Sequence, residues 1–69
     1  MGMTLKAARV NANLTQLEAA KRLDISESTL SMWEKGRTFP DARKIRDIEM
    51  VYGVPYDEII FLPKTTVKP

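Results

Sequence analysis

The stretch from Thr15 to Gly36, TQLEAAKRLDISESTLSMWEKG, limits what this chain can fold into more than any other. It opens with Thr15 and Glu18 in the T-x-x-E spacing of a capping box. There the hydroxyl accepts an orphan N–H of the first turn and the carboxylate reaches back to the cap residue's own amide. A second helix start follows at Ser26, again a good N-cap. Leu23-Asp24-Ile25 leaves about three residues for the turn, which suits a helix-turn-helix and is too short for a loose interhelical linker. That arrangement is the one with which proteins lay a second helix in the major groove of DNA.

Composition sets the outer bounds. The chain has 69 residues, enough for one domain whose small core must be well packed or helped by dimerisation. It contains no cysteine and no histidine, which excludes a disulfide and removes the usual zinc clusters and histidine general bases. No cofactor, metal or small-molecule ligand is expected, and without a Gly-rich phosphate loop or a polar constellation neither is an enzyme. No apolar run approaches the roughly 18 residues of a membrane span, and the N-terminus lacks the regions of a signal peptide. The expectation is a cytoplasmic protein with no membrane contact. Eleven basic and nine acidic residues give a net charge of +2, compatible with a nucleic-acid partner but too small to indicate one.

In chain order, Met1 to Met3 carries no signal and is left outside the expected fold. Thr4 caps a first helix from Leu5 to about Ala12, with Leu5, Ala8 and Ala12 as its inward stripe and Arg9 beside it. Asn13 suits a left-handed stop. In the second helix Leu17, Ala20 and Leu23, with Ala19 beside them, form the expected apolar face, while Lys21 and Arg22 point outward. Ile25 and Leu30 bracket the Ser26 cap at hydrophobic-staple spacing. Leu30 and Trp33 continue inward, leaving Glu27, Ser28, Ser31, Met32 and Lys35 to a partner, and Gly36 ends the third helix. After the loop Arg37-Thr38-Phe39-Pro40, Asp41 caps a fourth helix over Ala42 to Tyr52, with Ile45, Ile48 and Val51/Tyr52 inward and Gly53 closing it. Val54-Pro55 leads to an expected fifth helix from Tyr56 to Phe61, stopped by Pro63. The expectation is therefore an all-α, five-helix domain over residues 4–62, without a strand, followed by a short tail at 63–69.

Leu14-Thr15-Gln16 with Ala19-Ala20, Leu23-x-Ile25-Ser26, Ser28-Thr29-Leu30, Trp33-Glu34-Lys35-Gly36-Arg37, Pro40, and Tyr52-Gly53-Val54 before Asp57-Glu58-Ile59 together resemble the Cro/CI-type helix-turn-helix family. Phage repressors and xenobiotic-response-element regulators belong to it. The resemblance runs from about Leu5 to Leu62 and rests on the joint spacing of these pieces. It implies a compact five-helix, lambda-repressor-like domain that binds double-stranded operator DNA, usually as a homodimer and without enzymatic activity. With no sensing domain after it, the chain looks like a stand-alone Cro-like or small prophage repressor. Three positions depart from the family pattern. Asp24 stands where the turn often has Gly, Pro55 replaces the usual Ser or Thr cap, and Glu49 stands where a small residue is usual.

The resemblance also assigns roles, each with a plainer alternative. Gln16 aligns with a phosphate contact that supports the recognition helix, and is otherwise a polar first-turn residue. Glu27, Ser28 and Met32 align with base-reading positions. Glu27 would accept from cytosine N4, or merely complement the helix dipole. Met32 would meet a thymine methyl, or fill the core. Ser31, a small polar residue on the same face, would contact base edges and phosphates, or only let the helix approach closely. Lys35, Arg37, Thr38 and Arg43 surround the loop after the third helix and would grip phosphates, or form a solvated basic loop. Arg9 and Glu34 are expected as a partly buried structural ion pair. Trp33, spaced from Leu30 to lie in the core, is not expected as a stacking platform. The alternative from another functional class is a protein-interaction module of the same fold, such as an antitoxin or an anti-repressor target.

Overall fold

The computed structural model describes residues 2–61. The expectations for Met1, Leu62 and the tail lie outside the described residues. Four α-helices appear in order: α1 (Leu5–Asn11), α2 (Gln16–Leu23), α3 (Glu27–Glu34) and α4 (Ala42–Tyr52). Two short strands, β1 (Met3–Thr4) and β2 (Ile59–Ile60), pair in parallel with Met3 opposite Ile59 and Thr4 opposite Ile60.

Each helix starts at a side chain that satisfies an otherwise unpaired first-turn amide. Thr4, Thr15, Ser26 and Asp41 accept from the N–H groups of Ala7, Glu18, Thr29 and Lys44 at 3.1, 3.1, 3.0 and 2.9 Å. At α2 the box is reciprocal, because the Thr15 N–H also donates to Glu18 Oε1 at 2.9 Å. The two hydrogen bonds with Thr15, backbone first, hold the Glu18 carboxyl below its ordinary value. The stops are equally local. Asn13, Asp24, Gly36 and Gly53 all have positive φ, at 62, 57, 77 and 72°. After α1 the Leu14 N–H reaches the Arg9 carbonyl and the Asn13 N–H that of Val10; after α2, Ile25 reaches Ala20 and Asp24 reaches Lys21. Both are Schellman closures, and Asp24 takes up the left-handed conformation at the turn position where Gly is frequent.

The helices enclose one core of Leu5, Ala8, Ala19, Ala20, Leu23, Leu30, Trp33, Ile48, Tyr52 and Ile59. Ala19 and Ala20 let α2 approach its neighbours closely, and Ile25 packs against the core just before Leu30. Leu17 departs from the expected apolar face and is 51% exposed. At about 100° per residue it sits roughly 110° from the middle of the Ala19–Ala20–Leu23 face, too far round to reach the core. Ala12 is likewise only half-buried, as the cap residue after α1.

The fifth helix is also corrected. Tyr56–Glu58 makes a single 3-10 turn and the chain then becomes extended. Pro55 offers no side-chain cap, and the β-branched pair Ile59-Ile60 favours a strand. Ile59 faces the core at 7% exposure while Ile60 is 51% exposed, the alternation of a strand. Glu49 has a definite role here, since its Oε2 accepts the Tyr56 N–H and so ties α4 to that turn. The all-α, strandless expectation thus becomes a mostly helical fold whose first and last described segments are joined by a small sheet.

Candidate nucleic-acid interface

The two central helices are fixed on both sides of the turn. On the inner side Leu23, Leu30 and Trp33 are buried. On the outer side Lys44 of α4 donates from Nζ to the Leu23 carbonyl at 2.7 Å, placing a cation on the last carbonyl of α2. Lys44 also lies 3.9 Å from Asp47. Sequence reasoning missed this strap; the only signal was a lysine one turn into a helix already expected to pack on the motif.

Around α3, Glu27, Ser31, Lys35, Ser28 and Met32 fall within about 140° of circumference, opposite Leu30 and Trp33. Glu27, Ser28 and Lys35 are exposed, Ser31 is half-buried, and Met32 is 39% exposed. Met32 therefore does not fill the core. Ser26 Oγ donates to Thr29 Oγ1 at 2.9 Å besides accepting its N–H, so Thr29 belongs to the cap. The helix leaves its outward face free of side-chain bonds among the described residues.

Arg9 and Glu34 meet at the edge of this face. Arg9 Nε donates to Glu34 Oε2 at 2.7 Å and Nη2 to Oε1 at 3.3 Å, a two-point pairing in which both residues are at least nine-tenths buried. Arg9 Nη1 donates to the Leu14 carbonyl at 3.0 Å. Glu34 Oε1 also accepts from Gln16 Nε2 at 3.0 Å. One carboxylate thus joins α1, the start of α2 and the end of α3. It forms the floor of an open recess of ≈ 700 Å³ that Lys6, Thr15, Ser31 and Lys35 also line.

Of the phosphate set read from the sequence, the recess brings Gln16 and Lys35 together. Arg37 and Thr38 are exposed in the loop after α3, and Arg43 is exposed on the first turn of α4. Lys6 was overlooked, although it stands three residues before Arg9 and so shares its side of α1. Among the described residues no cluster of acidic side chains could hold a metal ion, and no helix is long and apolar enough to cross a membrane.

Known proteins resemble this chain in sequence. The helix-turn-helix family model matches residues 5–59. The chain is 32% identical over 56 residues to the HTH-type transcriptional activator BcrR of Enterococcus faecalis, covering 81% of this chain and 28% of that protein. It is 35% identical over 60 residues to the HTH-type transcriptional regulator ImmR of Bacillus subtilis (strain 168), covering 87% of this chain and 47% of that protein. The chain therefore spans less than half the length of either relative. No solved structure matches it significantly. Two capped helices about a tight turn, an outward polar face on the second and a family match over most of the sequence identify this chain as a member of the Cro/CI-type helix-turn-helix family.

Proposed function

We propose that this chain is a sequence-specific, double-stranded-DNA-binding transcription regulator that places α3 in the major groove and works as a homodimer. The observation that carries the reading is the outward face of α3. Glu27, Ser28, Ser31 and Met32 offer an acceptor, hydroxyls and a soft apolar tip, the chemistries that distinguish base edges. The relatives' names support the same reading, since both are described as HTH-type transcriptional proteins.

Gln16, Lys35, Arg37, Thr38 and Arg43 hold the phosphates on either side and set the register. Two copies put their recognition helices one DNA turn apart, ~34 Å, on a two-fold symmetric site. The mechanism is occupancy: a site overlapping the polymerase's own gives repression, and one beside it allows recruitment. No catalytic residue or cofactor takes part, and the protein acts in the cytoplasm.

A surface formed by the loop before α4 and the segment after it supports the homodimer. Phe39 and Tyr56 are 57% and 45% exposed and flank the Phe61 ring at centroid distances of 4.8 and 5.7 Å. Three aromatics grouped at the surface also suit the competing reading, a protein-interaction module of the same fold. Selection from random duplexes decides between them. A palindromic consensus, bound with strong salt dependence, is the expected result. Retention on DNA that ignores salt and yields no consensus would leave the interaction module as the function.

A further inference from the structure

The recess between α1, α2 and α3 has a charge balance that the helix-turn-helix itself does not supply. Arg9 and Glu34 neutralise each other on its floor. Lys6 and Lys35 remain on its walls, and among the described residues neither has an acidic partner. Gln16 Nε2 has two hydrogens, and the bond to Glu34 Oε1 occupies one of them. A flipped amide would turn its carbonyl oxygen toward the carboxylate and be repelled. Glu34 therefore selects the orientation that leaves the second N–H of Gln16 as a donor. Among the described residues the backbone N–H groups of Gln16 and Leu17, at the start of α2, also have no acceptor. Cationic walls, an oriented amide and the free Gln16 backbone N–H on the same recess suit a tetrahedral oxyanion.

We propose that Lys6 is a DNA-phosphate contact in this recess, beside Lys35 and Gln16, and that Glu34 is a positioning residue that keeps the Gln16 amide turned to donate. The proposal rests on the DNA-binding reading. It extends the phosphate grip onto α1, an element outside the helix-turn-helix. The three side chains come from α1, the start of α2 and the residue that caps α3, so one phosphate bound here fixes the depth of α3 relative to the backbone.

The test is a titration of the full chain onto a non-specific duplex at several salt concentrations, for the parent, Lys6→Ala, Lys6→Arg and Lys35→Ala. Lys6→Ala should reduce the slope of log K against log salt by ~0.9, the value for one lost phosphate contact, and Lys6→Arg should retain the parental slope. If Lys6→Ala leaves the slope unchanged while Lys35→Ala lowers it, the Lys6 contact is overturned and the phosphate grip next to α3 stands. If neither lowers it, the recess does not face DNA, and both the Lys6 and the Lys35 assignments fall.

Glu34 is tested by coupling, with every protein held well below the lowest Tm of the set. Glu34→Gln and Gln16→Ala should each weaken DNA binding by about three- to tenfold, the effect of one ordinary hydrogen bond. The double variant should be no weaker than Gln16→Ala alone. Losses that multiply would show that Glu34 acts only on the fold and would overturn the positioning role. The Gln16 side-chain amide resonances of the parent decide the matter where Glu34→Gln does not fold. Adding duplex must shift them, and an unchanged pair of resonances overturns the proposal.

Discussion

Tyr52 carries its hydroxyl into the core, where it has no hydrogen-bond partner among the described residues. Burial pushes its ionisation well above the usual phenol range; the nearby Glu34 carboxylate adds to the effect and Arg9 opposes it. A pKa raised in the fold favours the protonated form, so the associated stability is intact below the unfolded value of about 10 and is lost as pH rises above it. Tyr52→Phe removes both the unpaired group and the titration. Thermal melts of the variant should show stability equal to the parent or higher by about 1 kcal/mol at neutral pH, with a shallower alkaline decline. Glu34 is the opposite case, because three donor groups depend on its carboxylate. Glu34→Ala should cost about 3 kcal/mol by stranding the buried Arg9 charge, and coincident denaturation curves would sink that account. On the α3 face, Glu27→Gln replaces a pure acceptor with a group that donates and accepts, which should move preference from cytosine toward adenine by ~1 to 3 kcal/mol at one symmetric pair of positions. A uniform gain on all duplexes would mean that Glu27 only repels phosphate.

The elements owe their boundaries to short-range chemistry. Four side-chain N-caps and four left-handed stops define the helices. Gly53 shows how local such a stop is. A Cβ added there meets nothing within 4 Å, yet its φ is +72°, so the cost of Gly53→Ala comes from the backbone alone. Urea unfolding should show a loss of about 1 kcal/mol with an unchanged m-value. At Asp24 the same conformation is met by a residue that tolerates it, with Ile25 closing the turn onto Ala20. The 3-10 turn and strand after Pro55 differ in kind. Besides the local bond from the Glu58 N–H to the Pro55 carbonyl, they are held by Glu49 of α4 and by β1, which lies at the other end of the sequence.

Across the whole molecule, the interface and the aromatic cluster occupy different elements. Lys6, Gln16, Ser31 and Lys35 open the recess of α1, α2 and α3, whereas Phe39, Tyr56 and Phe61 come from the loop before α4 and the segment after it. The two meet in the loop after α3, where Phe39 directly follows Arg37 and Thr38. A small aromatic cluster falls short of the area of a permanent interface, so self-association should be weak in free solution and complete on DNA. Sedimentation of the protein alone and with a duplex of two half-sites checks this. A strict monomer in both preparations would rule the homodimer out.

The sequence by itself determined the four helices, because caps, staples and left-handed stops act over three to five residues and can be read directly from Thr15 with Glu18, Ser26 with Thr29, or Asp41 with Lys44. It also determined which side of α3 is buried, since Leu30 and Trp33 at helical spacing leave only one outward face. Periodicity misled at Leu17, where the alanines and Leu23 set a face that excludes it. Only the tertiary structure decided that Met3–Thr4 and Ile59–Ile60 form a sheet, because two-residue strands have no pattern of their own and exist through the pairing that brings them together. It alone placed Lys6 beside Lys35, gave Glu49 the Tyr56 amide and set Lys44 on the Leu23 carbonyl. Those contacts depend on how the helices pack across the core, and no local spacing records that.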